Sequence, residues 1–240
     1  MNAKLLVADC SKETGALLKE YLTERGVAIT TKTSANVISY GVPHPDAING
    51  NCGKGKIYNM KAMSAAYGVQ VVPWFHKDDI PKYIKYPLLA RREYGFGGTD
   101  IVPVFQAEEL PWRIASGWEW FSQYVPIEQE YRVWVFQGEC LDIYRKQLNR
   151  PQDYKYIGRN FRNGFDFVLD TFGLERNVDA VNMAAKAVKA LDLDFGAVDL
   201  VRGKDGYVYV LEVNSAPGVI KSGAQKTLGK LADCLVEAIR

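Results

Sequence analysis

Histidine is scarce in this chain. His44 and His76 are the two in 240 residues, and both sit near prolines in loop-like sequence. That argues against a catalytic triad built on histidine and against a His-ligated metal. The four cysteines, Cys10, Cys52, Cys140 and Cys234, lie far apart and form no CxxC pair. Zinc is therefore not expected, and free thiols in a reducing, cytoplasmic compartment are. No apolar run reaches the roughly 18 residues of a membrane span, and the apolar part of "MNAKLLVADCSKE" is too short for a secretory signal. Neither sign of charge is in excess: the formal net charge is +2 and Lys and Arg form no block, so duplex DNA is not an expected partner. The glycine fingerprint of a dinucleotide site is missing after the first strand-like run, which argues against NAD.

What is present is an α+β pattern. Residues 4–8 (KLLVA) read as a buried strand, and Ser11 is placed to cap a helix over 12–25 whose apolar stripe is Leu17, Leu18, Tyr21 and Leu22. Strands over 27–31 and 37–40 follow, an order that predicts a small parallel sheet. After a Gly-, Asn- and Pro-rich loop, a helix is expected over about 57–67 and a strand in "GVQVVPWF". Alternating apolar residues separated by Gly turns then predict antiparallel strands, with helices over 178–191 and about 224–239.

The segment "YVYVLEVNSAPG" poses a chemical question. A strand rich in Tyr, Val and Leu carries Glu212 and Asn214, two residues apart and so on one face. "GAVDLVR" precedes it across the turn "RGKDG", which makes the two strands hairpin partners and brings Asp199 toward the same point. Two carboxylates and a carboxamide are hard oxygen ligands suited to magnesium, which takes phosphate oxygens and water as its other ligands. "YPLLARREYGFGGTDI" supplies Arg91, Arg92 and a turn whose Gly95, Gly97 and Gly98 allow backbone amides close to phosphate, although it lacks the Walker pattern. "IEQEYRVWVF" alternates Glu128, Glu130 and Arg132 against Tyr131, Val133 and Val135. A solvated strand face is the plain reading of that alternation. A cleft for a polyanion and a ribose is the other, favoured by Arg145 and Lys146 on the next strand. "YIGRNFRNGF" adds Arg159, Asn160 and Arg162 in a cationic loop.

In this order the pieces resemble the ATP-grasp superfamily of carboxylate–amine ligases, most nearly the group of glutathione synthetase and the ribosomal-protein glutamate ligase. "DFGAVDLVRGKDGYVYVLEVNSAPG" is similar to the family's magnesium-binding strand pair, "EYRVWVFQGE…YRK" to the segment after its adenine hinge, and "YPLLARREYGFGG" to its phosphate-covering strand and loop. The "YGV…IN" and "GRNFRNG" segments are similar to small ATP-grasp proteins carried by bacteriophages. The resemblance implies two α+β lobes gripping ATP, over 49–122 and 123–240, preceded by a reduced parallel-sheet lobe over 1–48. It implies that Asp199, Glu212 and Asn214 hold one or two magnesium ions, with manganese an alternative. Lys56 or Lys54, Arg91 or Arg92, and Gly97 and Gly98 would meet phosphates. Gln123, Tyr124 and Val125 would be the adenine hinge, Glu130 would hold the ribose, and Lys146 would lie near adenine or phosphate. Arg132, Arg159 and Asn160 would face the transferring phosphoryl group and the substrate carboxylate. The implied reaction joins a small-molecule or peptide carboxylate to an amine through an acylphosphate, and a homo-oligomer is an assembly the resemblance allows. Three other readings stand beside it. One is an ATP-binding regulatory module without ligase activity, and another is a different phosphoryl-transfer enzyme such as a kinase. The third is a nucleic-acid binder using Trp112, Trp118, Trp120 and Phe121, whose spacing fits core packing better.

Overall fold

The computed structural model describes residues 1–32, 34–94, 101–149, 164–219 and 223–240. Strand β1 (Asn2–Val7), helix α1 (Lys12–Glu24), β2 (Ala28–Ile29) and β3 (Val37–Tyr40) form a parallel sheet in the order β2-β1-β3. Parallel neighbours need a crossover, and α1 supplies one between β1 and β2. The Ser11 hydroxyl does not cap α1 as expected: it is buried in a 3-10 turn over Asp9–Ser11 and donates instead to the Ala216 carbonyl at 2.9 Å.

Helix α2 (Lys56–Ala65) leads to β4 (Trp74–His76), β5 (Leu88–Arg91), β6 (Ile101–Val104), α3 (Leu110–Ala115) and β7 (Trp120–Gln123). These strands form an antiparallel sheet in the order β4-β7-β5-β6. The strand expected in "GVQVVPWF" is shorter than its apolar run. Only Trp74 and Phe75 of that run lie in β4, while Val71 makes an isolated bridge to Val210, on either side of Pro73, which has no N–H to donate. Trp118, Trp120 and Phe121 are buried, so three of the four aromatics weighed for base stacking are packing residues; Trp112 is exposed.

The third sheet is the largest. β8 (Ile127–Phe136), β9 (Glu139–Leu148), β10 (Phe165–Leu169), α4 (Gly173–Arg176), α5 (Val178–Ala190), β11 (Phe195–Gly203), β12 (Val208–Asn214) and α6 (Gln225–Ala238) complete the chain, with strand order β10-β9-β8-β11-β12. One face of this sheet presents Val133, Val135, Val198 and Leu200 to Ala180, Ala184 and Val188 of α5. The other presents Trp134, Phe136, Phe195 and Ala197 to Leu228, Leu231 and Leu235 of α6 and to Leu18 and Leu22 of α1. Burial on both faces explains why β11 reads as a nearly unbroken apolar run rather than an alternating one. Leu231 is fully buried at the junction of α1, α6 and this sheet. Leu231→Ala is expected to cost about 2–5 kcal/mol, read as a lower urea midpoint with an unchanged slope.

Candidate functional site

The face that carries Trp134 and Phe136 changes character toward the other end of its strands. Register pairs Phe195 with Phe136 and Ala197 with Trp134, and then Asp199 with Arg132 and Val201 with Glu130. On β12 Glu212 lies opposite Asp199 and Asn214 opposite Ala197. On the far side Lys146 lies opposite Phe167. One sheet face is thus apolar where α1 and α6 cover it and charged beyond them. The charged half is the floor of a cavity of about 670 Å³, walled by α2, β5, the β7–β8 connection and the turn after β12.

Charge pairing dominates this floor. Arg132 grips Asp199 with both arms, Nε to Oδ1 at 2.6 Å and Nη2 to Oδ2 at 2.7 Å. Lys146 Nζ donates to Glu130 Oε1, and Glu130 is buried. Burial by itself would push the Asp199 carboxyl up; the charge and hydrogen bonds of Arg132, with Lys146 nearby, outweigh it and hold the group below the ordinary carboxylate value. Burial pulls the Arg132 guanidinium down, and Asp199 more than reverses this. At Arg91 burial wins, so its value falls despite the attraction of Glu212 and Glu130. The Glu130–Arg132 face is therefore a cleft lining, not a solvated strand face.

Of the residues that the resemblance singles out, all those among the described residues line this cavity except Arg92. Asp199, Glu212 and Asn214 share one face, and Asn214 Nδ2 donates to Glu212 Oε1 at 3.3 Å, which leaves its carbonyl oxygen unused by that bond. Among the described residues no three His, Cys, Asp or Glu side chains cluster as a metal site. The candidate ligand set is two carboxylates and a carboxamide, and it fits a hard cation whose other ligands are phosphate and water. Arg91 lies 5.0 Å from the Trp120 ring, with Nε donating to Ser122 Oγ at 3.2 Å. Arg92 is exposed beside Trp118, outside the cavity. Lys54 and Lys56 both line it. In the hinge, Gln123 N–H donates to the Pro73 carbonyl at 2.8 Å and Tyr124 N–H to that of Pro87 at 3.1 Å. Among the described residues no backbone bond of this kind engages the Val125 N–H. Gly97, Gly98, Arg159 and Asn160 lie outside the described residues.

Sequence reasoning missed Met60, Met63, Val72 and Leu211, which supply apolar lining; nothing distinguishes them from core residues. It also missed Glu93, whose Oε2 accepts the Ile57 N–H at 2.9 Å and whose carboxylate lies where a Cβ on Gly55 would stand.

Residues 104–218 match a family model described as an ATP-grasp domain. That segment, a little under half of the chain, carries the likeness to the ATP-grasp superfamily. A curated D-alanine–D-alanine ligase of Clostridium beijerinckii is 22% identical over 175 residues, 68% of this chain and 58% of the ligase, so the chain spans little more than half of that relative. Among solved structures, the ATP-grasp ligase PsnB complexed with a minimal precursor superposes with a TM-score of 0.70 at 13% identity, over 98% of each chain. The D-alanine–D-alanine ligase of Bacillus anthracis gives 0.67 at 18% identity, over 99% of this chain and 96% of the other. D-cycloserine synthetase DcsG gives 0.62 at 18% identity, over 98% and 99%. The observed architecture is thus the ATP-grasp fold, α+β with two antiparallel sheets and a small parallel one.

The Arg132–Asp199 pair makes a measurable demand on this chain. Asp199→Ala leaves a buried guanidinium without its main partner and is expected to cost about 3–5 kcal/mol at pH 7 in metal-free buffer. The folded value of Asp199 is depressed, so the pair's contribution is complete above the ordinary carboxylate value of about 4 and fades as pH falls through the folded value. Urea denaturation of both proteins should show their gap narrowing below about pH 4.

Proposed function

We propose that this chain is an ATP-dependent, magnesium-requiring, ADP-forming ligase that joins a carboxylate to an amine. The observation that supports this most is the convergence, in one cavity large enough for a nucleotide, of Asp199, Glu212 and Asn214 with the cations Arg91, Arg132 and Lys146. In this reading a carboxylate oxygen of the substrate attacks the γ-phosphorus, and ADP leaves with the electrons of the broken P–O bond. The amine nitrogen then attacks the acyl carbon; phosphate departs and the nitrogen loses a proton. Both steps crowd negative oxygens together, so the residues' task is electrostatic and no covalent nucleophile is needed. Asp199, Glu212 and Asn214 would hold magnesium, which when bound supplies further neutralisation of phosphate oxygens.

The other roles are those that the resemblance implies. Arg91, Lys56 or Lys54, Gly97 and Gly98 would meet the phosphates. Val125 N–H would meet the adenine edge, and the chain past it would offer Glu130 to the ribose once Lys146 turns to the nucleotide. Arg132, Arg159 and Asn160 would serve the acyl-phosphate end, Arg132 by keeping Asp199 ionised and oriented as well as by its own charge. Three lobes over 1–48, 49–122 and 123–240 are part of the proposal, supported by sheets that span 2–40, 74–123 and 127–214. Small-molecule and peptide carboxylates are both in scope, since the structural neighbours include a D-alanine–D-alanine ligase and PsnB with a precursor peptide. Among the described residues no helix is long and apolar enough to cross a membrane.

The test is ADP release with magnesium across a panel of carboxylates and amines. Release that needs both a carboxylate and an amine supports ligation; nucleotide binding with no release for any pair favours a regulatory ATP-binding module. Glu212→Ala, a half-buried position, should keep the fold by circular dichroism and lose metal-dependent ATP binding by calorimetry. Unchanged affinity in that variant would overturn the assignment of the metal ligands.

A further inference from the structure

The turn that follows β12 is held in place from outside by residues 11–49. Three successive carbonyls, those of Ser215, Ala216 and Pro217, each accept a side-chain hydrogen bond: from Asn49 Nδ2 at 3.2 Å, Ser11 Oγ at 2.9 Å and Tyr40 OH at 2.6 Å. Val219 N–H completes the grip by donating to Thr14 Oγ1 at 3.3 Å. The packing beneath is close. Gly41 has φ +87°, and a Cβ there would lie 2.8 Å from the Ala216 Cβ and 3.0 Å from the Ala8 Cβ.

Asn49 does more than hold the turn. It is fully buried in left-handed backbone, φ 62°. Its Oδ1 accepts the Phe195 N–H at 3.1 Å, and its own N–H donates to the Asp194 carboxylate. Phe195 opens β11 and Ser215 follows the last residue of β12. The β11–β12 ladder ends at the pair Ala197–Asn214. Beyond it the Asn49 carboxamide spans the two strands and supplies a rung that the backbones do not make themselves. Asn214 sits at that last rung, whereas Asp199 and Glu212 lie further inside the ladder.

We propose that Asn49 is a positioning residue for the divalent-cation end of the cleft: by bridging Phe195 and Ser215 it fixes Asn214 against Asp199 and Glu212, with Tyr40 acting in support through Pro217. This rests on the reading of those three side chains as the metal ligands. Losing the bridge lets the strand end fray at Asn214 while the inner ladder and the nucleobase wall stay in place, so the effect is selective for the metal.

The experiment is calorimetric titration of ADP at a series of Mg²⁺ concentrations, on the whole chain. Asn49→Gly is the informative variant, because glycine adopts the left-handed backbone without strain. The Mg²⁺ midpoint for ADP binding should rise about tenfold, within the range seen when groups that orient metal ligands are removed, while ADP affinity without Mg²⁺ stays within about twofold. In metal-free protein, amide exchange at residues 215–219 should speed up in the variant. An unchanged Mg²⁺ midpoint alongside faster exchange or lower thermal stability would make Asn49 merely structural and overturn the proposal. So would a parallel loss of metal-free ADP affinity. If Asn49→Gly does not fold, Tyr40→Phe keeps the ring against Phe195, 6.0 Å between centroids, and removes the hydroxyl alone. It should raise the midpoint about threefold, and no rise would overturn the proposal. A wild-type protein whose ADP binding ignores Mg²⁺ would overturn the ligand assignment itself; magnesium dependence that neither variant alters would overturn this inference alone.

Discussion

The two-armed contact between Arg132 and Asp199 is what allows a row of carboxylates to stand inside this protein. Asp199, Glu212 and Glu130 share one face of the largest sheet, with Asp199 and Glu212 directly opposite across a strand pair, an arrangement that like charges oppose. Arg132 stands on β8, on the other side of Asp199 from Glu212, and pairs with Asp199; Lys146 on β9 pairs with Glu130. The charges are paired in advance, and Arg132 holds the Asp199 carboxyl below its ordinary value despite burial. The proposed gathering of a cation and a polyanion would need that property before either arrives.

The second constraint is geometric. The same sheet face is core at one end and cleft at the other, and the change falls between Trp134 and Arg132 on β8 and between Ala197 and Asp199 on β11. The apolar half is locked by α1 and α6, so the charged half begins at a fixed place. The turn after β12 stands at this boundary, tied by Ser11, Thr14, Tyr40 and Asn49 to the first fifty residues of the chain. The segment that forms the small parallel sheet, with the loop after it, therefore frames the end of the candidate metal strand.

Much of the candidate site was legible because its residues are close in sequence. Glu212 and Asn214 share a strand, Asp199 is reached through a short turn, and Arg91 ends a hairpin strand; period-two alternation is enough to aim each of them. The pairing of Arg132 with Asp199 was not legible, since the two are 67 residues apart and only the neighbouring positions of β8 and β11 unite them. The same holds for Ser11, whose preference for a helix cap lost to a carbonyl 205 residues away. Local propensity registers the first kind of contact and has no access to the second.

By itself the sequence determined the α+β character and the strand pair with its two carboxylates and carboxamide, because both rest on local periodicity and on residues that one hairpin brings together; the resemblance to the ATP-grasp superfamily rests on motifs along the same strands. Only the tertiary structure decided that the charged face of β8 lines a cavity, that Arg91 and not Arg92 enters it, and that Ser11, Thr14, Tyr40 and Asn49 grip the turn beyond Asn214. These depend on which sheet face is covered and by what. Covering is a property of elements packed from distant parts of the chain, and no window along the sequence contains them.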